Sequence, residues 1–257
     1  MSRPAEQDDN SSLTKGLSLL SVFTVAEDEL SMSEMARVSG IPKSTTHRLV
    51  SDLVRWGALE RGPGGYRLGV KLFELGHLVP AQRTLRELAV PYAHNLTEVT
   101  NLTSNLAVRE DREILYLEKI SRQDLTVPHS RAGGRLPLHC TGLGKAILAF
   151  SEYAFIESVL AHPLRRMSGG TITKPDQLRR ELAKIRKTQV AYDVEESQPG
   201  LFCVAAPIMG LAGQPVGAIS VTGATALAQA RKYASAVRTT AMAISRVLTA
   251  QTTRRPA

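Results

Sequence analysis

Apolar positions in the N-terminal part of the chain recur every three or four residues, which is the period of an α-helix. They predict three short helices: one from Thr14 to the acidic run at 27–29, one over 31–38, and one from about residue 43 to Trp56. Gly40 and Pro42 separate the last two, because glycine ends helices readily and proline suits a first turn. The first helix is indicated by its apolar positions Leu17, Leu20, Val22, Phe23 and Val25, and the predicted inward positions of the other two are Met32, Met35, Ala36 and Val38, and Thr46, Leu49, Val50 and Leu53.

Two short alternating runs, 58–61 and 66–68, flank the turn sequence Gly-Pro-Gly-Gly and predict a β-hairpin. Helix, helix-turn-helix and hairpin is the element order of a winged helix-turn-helix domain. A helical pattern then resumes over 70–79 until Pro80 interrupts it. We therefore predict a disordered tail over 1–12, a winged helix-turn-helix domain over 13–69 and a linker helix over 70–82.

The remainder of the chain mixes helical and strand patterns, which indicates an α+β fold with a sheet packed by helices. Pro91 is expected to bend the first of these helices. The predicted helices span 81–99, 140–161, 175–188 and 224–249, and the predicted strands span 102–109, 113–120, 189–194, 201–209 and 215–222. This layout is typical of a small-molecule sensor, so we predict an effector-binding domain over 83–252.

The outer face of the third predicted helix carries several kinds of hydrogen-bonding side chain. In a helix-turn-helix the second helix enters the major groove of double-stranded DNA, and its N-terminal half reaches the base edges. Basic side chains on the hairpin would contact phosphates without regard to sequence. The predicted DNA-binding residues are Lys43, Ser44, Thr45, His47, Arg48, Arg61 and Arg67. A solvated surface helix is the alternative, while Asp52 and Trp56 are interpreted as a surface charge and a core or hairpin-packing aromatic.

Charge supports a nucleic-acid partner only locally. The net charge is +8, but residues 1–80 contain 9 basic and 10 acidic residues, whereas residues 81–257 contain 23 basic and 14 acidic ones. The window 37–71 holds seven basic and two acidic residues, which points to the predicted DNA-binding segment. No apolar run reaches the roughly 18 residues of a membrane span, the N-terminus lacks the apolar core of a secretory signal, and only two cysteines occur. We therefore expect a cytoplasmic protein with no membrane contact.

Three segments carry a resemblance to a known family: LSMSEMARVSGIPKSTTHRLVSDL (30–53), RLPLHCTGLGKAILA (135–149) and AYDVEESQPGLFCVAAPI (191–208). They resemble IclR-type bacterial transcriptional regulators, and the similarity continues through 217–223 and covers nearly the whole chain. The resemblance implies a regulator of nearby catabolic genes, by family tendency a repressor. It also implies a GAF-like effector-binding domain and a homodimer or a dimer of dimers.

The resemblance also implies an effector pocket in the second domain. Backbone N–H groups at the start of the helix after Thr141 suit the carboxylate of an organic acid. The implied pocket residues are Gly142, Leu143, Asp193, Cys203, Ser220 and Thr222, with apolar walls from Leu125, Leu136 and Leu201.

Alternatives remain open for two of these positions. Cys203 is alternatively a small core residue, and Asp193 a carboxylate that serves only the end of a strand. Leu143 is larger than the alanine often found there, and Thr222 replaces a frequent serine. These departures favour a larger or more apolar effector than very small acids.

Catalysis and cofactor binding lack sequence support. The run Thr141 to Ala146 imitates a phosphate-binding loop but has His139 and Ala146 where a glycine and a hydroxyl are required, so Lys145 is expected to be solvated or salt-bridged. His139 and Cys140 are neighbours that point different ways, and the histidines lack metal-ligand spacing. We expect no cofactor, no metal and no catalysis; the alternative is a hydrolase or transferase with an appended DNA-binding domain.

Overall fold

The computed structural model describes residues 11–24, 27–122, 130–224 and 230–254. The chain divides into two compact units, Met1–Pro80 (unit 1) and Ala81–Ala257 (unit 2), and each is described by itself. Among the helices of the described residues, none combines the length and the apolar character needed to cross a membrane.

Unit 1 is a winged helix-turn-helix, as the sequence predicted. Its elements are α1 (Ser12–Leu20), α2 (Met32–Ser39), α3 (Lys43–Trp56), β1 (Leu59–Gly62), β2 (Gly65–Leu68) and α4 (Val70–His77). An isolated antiparallel bridge joins Leu30 to Tyr66 of β2, so the segment before α2 is hydrogen-bonded to the hairpin. The core between these elements contains Leu19, Met35, Leu49, Val50 and Leu59.

Local sequence signals set the helix-turn-helix. The Ser31 hydroxyl accepts a hydrogen bond from Glu34 N, and the Glu34 carboxylate accepts one from Ser31 N, so the two form a capping box at the start of α2. Gly40 adopts a φ of 70°, the left-handed backbone that ends α2. Pro42 lies at the N-cap of α3, one position before the first turn in which it was predicted.

The end of the first helix and the inward position of Val38 were predicted wrongly in unit 1. Helix α1 ends at Leu20, well before the acidic run, and buries Leu19 while Leu17 is 55% exposed. Leu19 packs in one core with Leu49 and Val50 of α3, so the Gly16–Leu19 side of α1 faces inward. Val38 is exposed, and so is Trp56, whose ring lies under the Lys71 ammonium at 4.5 Å.

Unit 2 is an α+β domain built on a six-stranded antiparallel sheet, which confirms the predicted fold class. The strand order is β5-β4-β3-β8-β7-β6. The elements are α5 (Pro80–Thr100), β3 (Thr103–Glu110), β4 (Glu113–Ile120), β5 (Arg135–Pro137), α6 (Gly142–Phe150), α7 (Tyr153–Leu160), α8 (Pro175–Thr188), β6 (Ala191–Val194), β7 (Phe202–Met209), β8 (Pro215–Gly223) and α9 (Ala234–Arg254).

The sheet separates two apolar cores. Successive side chains of a strand point to opposite faces, so Cys203 of β7 faces α6 while Val204 faces α9. The first core lies between the sheet and α6, α7 and α8, and the second between the sheet and α5 and α9. The predicted pocket residues that the structure describes belong to the α6 side.

Three predicted elements of unit 2 need correction. The helix predicted over 140–161 is two helices, because Ser151 takes an extended backbone between α6 and α7. The last predicted helix is interrupted by a 3-10 turn at Arg231–Tyr233, so its long part is Ala234–Arg254, and residues 225–229 of its predicted start lie outside the described residues. Strand β5 was not predicted, since its three residues are too few to show an alternating pattern.

Candidate DNA-binding surface and effector site

The outer face of α3 is the first candidate site. It is set by burial of the opposite face, where Thr46, Leu49 and Val50 pack inward as predicted. Thr45 is half-buried, and the exposed predicted residues of the helix are Lys43, Ser44, His47 and Arg48. These side chains therefore share one solvent-facing surface on a rigid element, as recognition of a groove requires.

The start of α3 is held by the buried Thr46. Its hydroxyl donates to the carbonyl oxygens of Ile41 and Pro42, at 3.2 and 3.1 Å, and so ties the helix to the preceding turn. No side chain caps the first turn of α3. The N–H groups of that turn, at the positive end of the helix dipole, are therefore left for water or a phosphate.

Arg48 is oriented by α1. Its Nη2 donates to Ser12 Oγ at 3.0 Å, and both side chains are exposed. The guanidinium has five donors, so this bond leaves others for a base or a phosphate. The two residues lie 36 positions apart, which is why no local pattern revealed the contact.

The two predicted hairpin arginines differ in their partners. The Arg61 guanidinium lies 5.5 Å from the ring centroid of Tyr66. Arg67 Nη2 lies 3.4 Å from Glu60 Oε2, in an exposed ion pair. The Glu60 carboxylate therefore neutralises part of the charge on Arg67.

The second candidate site is a cavity between the sheet of unit 2 and the start of α6. Its volume is about 20 Å³, which is room for about one water molecule, so a larger ligand requires the lining side chains to move. It is lined by Tyr116, Ser130, Leu136, Thr141, Gly142, Leu143, Asp193, Ser197, Leu201, Cys203 and Thr222. Ser220 is buried outside this lining, and Leu125 lies outside the described residues.

The start of α6 presents backbone donors to this cavity. Thr141 Oγ1 accepts from Gly144 N at 3.0 Å, and the Thr141 carbonyl oxygen accepts from Lys145 N at 2.9 Å. The N–H groups of Gly142 and Leu143 have no acceptor among the described residues. A Cβ on Gly142 would lie 3.0 Å from Cys203 Sγ, so glycine lets the helix start touch the sheet. The positive helix terminus can therefore hold an anion here.

Asp193 is buried, and its carboxylate holds the loop after β6. Oδ1 accepts from Glu196 N at 2.8 Å and from Ser197 N at 3.3 Å, and Oδ2 accepts from Ser197 Oγ at 2.6 Å. Burial raises the pKa of Asp193, and these hydrogen bonds oppose that effect. Asp193 therefore stabilises the end of strand β6, which was the alternative interpretation of this residue, and it also lines the cavity.

Cys203 lies opposite Thr222 of β8. Burial raises the pKa of the Cys203 thiol to about 11, and the hydroxyls of Ser220 and Thr222 partly oppose that rise. The thiol is therefore neutral, which makes it a small polarisable wall and a poor nucleophile. Ser220 and Thr222 share this face of β8, as their spacing predicted.

Unit 2 contains a buried ion pair for which the sequence analysis predicted the lysine but not its partner. The side chains of Lys145 and Glu196 are 1% and 8% exposed, and Lys145 Nζ donates to Glu196 Oε1. Lys145 is therefore salt-bridged rather than solvated. Burial raises the pKa of Glu196 to about 7, although Lys145 opposes this. Lys145 is the lone charge of an otherwise apolar helix, and this pattern could have indicated that it is buried with a partner.

A larger groove of about 530 Å³ lies on the opposite face of the sheet, beside α5 and α9. Its lining includes Leu85, Val108, Leu211 and Leu248. None of the charged side chains in its described lining is buried. The smaller cavity, with convergent buried polar groups, has the character of a ligand site despite its size.

An exposed recognition helix and a polar cavity in a separate sheet domain define a ligand-sensing DNA-binding regulator. The model of the IclR helix-turn-helix domain matches residues 12–63, and that of the bacterial transcriptional regulator IclR C-terminal domain matches residues 78–246. The chain belongs to the IclR family. It is therefore a DNA-binding transcriptional regulator with an effector-binding C-terminal domain. The family consists of regulators, so the enzyme alternative is wrong.

Similar proteins span nearly the same length. The HTH-type transcriptional regulator XynR of Escherichia coli is 30% identical over 243 residues, which cover 92% of this chain and 96% of XynR. The transcriptional repressor IclR of E. coli is 32% identical over 217 residues, which cover 82% of this chain and 79% of that protein.

Among solved structures, an IclR homologue from Microbacterium hydrocarbonoxydans in complex with 4-hydroxybenzoate has a TM-score of 0.85 and 31% identity. The similarity covers 93% of this chain and 100% of that one. The IclR protein of Thermotoga maritima has a TM-score of 0.77 and 30% identity, over 92% of this chain and 98% of the other.

Proposed function

We propose that this regulator represses a catabolic operon and that a small organic acid bound in the unit 2 cavity controls it. The observation that carries the proposal is the pair of N–H groups, of Gly142 and Leu143, at a positive helix terminus facing that cavity. Similar proteins support both halves of it: one is an acetate operon repressor of Salmonella typhimurium, and another binds 4-hydroxybenzoate, a carboxylic acid.

On DNA, α3 lies in the major groove and the hairpin contacts phosphates. Two copies of the chain, as a homodimer or within a dimer of dimers, address two half-sites of a roughly palindromic operator. The effector shifts the regulator between two states that differ in operator affinity. If it binds one state more tightly by about 1.4 kcal/mol, the equilibrium between the two states changes tenfold. The reading residues are Lys43, Ser44, Thr45, His47 and Arg48, with Arg61 and Arg67 as phosphate contacts.

Arg48→Ala is expected to weaken operator binding by roughly 10- to 100-fold, because a bidentate contact to a base contributes about 1–3 kcal/mol. The measurement is a titration of the full chain against the promoter fragment of its neighbouring genes and against random duplex. Preference for the promoter should fall while melting temperature and oligomeric state stay unchanged.

Two control variants test whether the Arg48 guanidinium itself is responsible for the effect. Ser12→Ala removes the partner of Arg48 but keeps the arginine, so it should bind DNA nearly as the wild type does. Arg55→Ala removes an arginine of α3 that is 79% exposed and paired with Asp52, so it should lower affinity for both duplexes at most slightly. Unchanged sequence selectivity in Arg48→Ala would remove Arg48 from the recognition surface.

Asp193→Ala is expected to weaken the response to acid about tenfold or more and to leave acid-free operator binding unchanged. The reason is that Asp193 lines the cavity and holds Ser197, another lining residue. Operator release is measured against increasing acetate, pyruvate, benzoate or 4-hydroxybenzoate. Asp176→Ala, at a carboxylate of unit 2 that is 81% exposed, is the matched control. An unaltered dose response would exclude Asp193 from the effector site.

A further inference from the structure

A further cavity lies where the edge of the sheet in unit 2 meets α9, and we call it the α9 cavity. Strand β6 pairs with β7 only as far as Ala205, so the rest of β7 continues beyond the end of β6. The α9 cavity is lined by Gln189, Ala206, Pro207, Met209, Arg238, Ala241, Met242, Ser245 and Arg246. Its volume is about 220 Å³, which is room for several water molecules, so a small ligand can enter without the rearrangement that the cavity at the start of α6 requires.

The floor of the α9 cavity is held in place by one serine. Met209 N donates to Ser245 Oγ at 2.9 Å, and Ser245 Oγ donates to the carbonyl oxygen of Ala241 at 2.7 Å, which ties the end of β7 to α9. Pro207 has no N–H group. This edge of β7 is therefore not suited to pairing with a further strand, and recognition of a polar ligand depends on the side chains around the floor.

Two arginines of α9 provide that recognition. Arg238, Met242 and Arg246 follow one another at intervals of four residues, so they share one face of the helix, and about 12 Å of helix axis separates the two arginines. Both arginine side chains are exposed, and neither forms an ion pair with a carboxylate of the described residues. Residues 197–257 contain six basic and no acidic residues, so this positive charge is uncompensated along α9 and attracts an anion.

The number of donors favours a phosphate over a carboxylate at this place. Each guanidinium presents a fork of parallel N–H donors, so the two arginines offer two forks. A carboxylate has two oxygens and one charge, which a single fork satisfies. The phosphate of a monoester has three terminal oxygens and a charge of about −1.5 to −2 at pH 7, so it can bind both arginines above Met242. The side-chain amide of Gln189 offers a further donor at the wall of the cavity.

We propose that Arg238 and Arg246 bind the phosphate group of a small phosphorylated metabolite in the α9 cavity, with its carbon skeleton against Pro207 and Met242. The α9 cavity shares no lining residue with the cavity at the start of α6, so the two sites can be occupied at the same time. The regulator therefore has a second ligand site for a different chemical class, and this site does not depend on the proposed organic-acid effector.

The test is calorimetric titration of the full-length protein, in a buffer without phosphate, with phenyl phosphate, inorganic phosphate and benzoate. The wild type should bind phenyl phosphate more tightly than inorganic phosphate, because the apolar floor contacts the ring. Arg238→Ala and Arg246→Ala should each weaken phenyl phosphate binding about fivefold or more, because each removes one charge-assisted fork from an exposed site. Both variants should leave benzoate binding unchanged.

Two control variants keep the α9 cavity intact. Arg180→Ala removes another exposed arginine of unit 2, which lies on α8 outside the cavity lining, and should bind all three ligands as the wild type does. Asp193→Ala changes the cavity at the start of α6 and should retain phenyl phosphate binding. Melting temperatures of the Arg238 and Arg246 variants should equal that of the wild type, since both side chains are exposed.

Several outcomes would overturn the proposal. Phenyl phosphate that does not bind, or that binds both arginine variants as tightly as the wild type, refutes the site. Equal affinity for phenyl phosphate and inorganic phosphate shows an anion site without a metabolite. If the variants weaken only the binding of random duplex DNA, the arginines contact the DNA backbone instead. Failure of benzoate alone would refute the proposed acid effector and leave this inference standing, so the two failures are distinguishable.

Discussion

Lys145→Met is expected to destabilise unit 2 by about 3–5 kcal/mol, the largest effect of a single side chain predicted for this protein. The replacement removes the only ion-pair partner of Glu196 found among the described residues and leaves its carboxylate buried. Glu196 Oε2 already lacks a hydrogen-bond donor within the described part of the chain, so the carboxylate has little other compensation. Urea unfolding followed by hydrogen exchange of β7 and β8 measures the loss.

The loss should depend on pH. Burial raises the pKa of Glu196 from its ordinary 4.5 to about 7, so the native state binds more protons than the unfolded chain between these values. This contribution to stability is present below pH 4.5 and is lost as pH rises through 7. Removing Lys145 takes away a group that lowers this pKa, so Lys145→Met should be more destabilising at pH 8.5 than at pH 5.5.

Two comparisons identify the cause. Lys184→Met breaks an exposed pair with Glu181, where the lysine is 74% exposed, and should change stability by about 0.5 kcal/mol or less. The double replacement Lys145→Met with Glu196→Leu removes both charges and should restore most of the stability. A double variant as unstable as Lys145→Met alone would show that packing, rather than the orphaned charge, causes the loss.

Gly65→Ala is expected to destabilise unit 1 by about 2 kcal/mol or more and to abolish operator binding. Gly65 has a φ of +148°, a conformation that residues with a side chain rarely adopt, and an added Cβ would lie 2.4 Å from the carbonyl oxygen of Leu30. Leu30 forms the bridge to Tyr66, and Glu29 Oε2 accepts from Gly64 N at 2.6 Å. The substitution therefore displaces the whole hairpin, including its arginines.

Fluorescence of Trp56, the one tryptophan of the chain, reports unfolding of unit 1 in urea. Gly76→Ala is the matched control, because an added Cβ at this helical glycine meets nothing within 4 Å. It should leave stability unchanged or raise it by up to about 1 kcal/mol. A Gly65→Ala transition at the wild-type urea concentration would contradict the argument from backbone strain.

Much of unit 1 could be predicted because its signals are local. The capping pair Ser31 and Glu34, the turn at Gly40 and the apolar period of α3 each act within a few residues. The errors occurred where a distant contact decides the outcome. Leu19 of α1 shares a core with Leu49 and Val50 of α3, and no pattern within α1 contains that information.

The candidate effector site was predicted through resemblance, and the structure changed its composition. Tyr116 and Ser130 join it because the sheet brings β4 beside β3, and Ser220 lies outside the lining. The bonds from Asp193 to Glu196 and Ser197 are formed by the fold of the loop after β6. These partners lie only three and four residues after Asp193, so this contact is local, unlike the contacts across the sheet.

The sequence by itself determined the element order of unit 1, the outer face of α3 and the two-part architecture, because helix period, caps and turns depend on neighbouring residues. Tertiary structure alone decided which side chains surround the cavity, which carboxylate pairs with Lys145, and how Arg48 is oriented. Those contacts join residues far apart in sequence, such as Lys145 and Glu196, and burial makes their partners obligatory. A one-dimensional pattern can indicate that a buried charge needs a partner, but only the packed fold selects it.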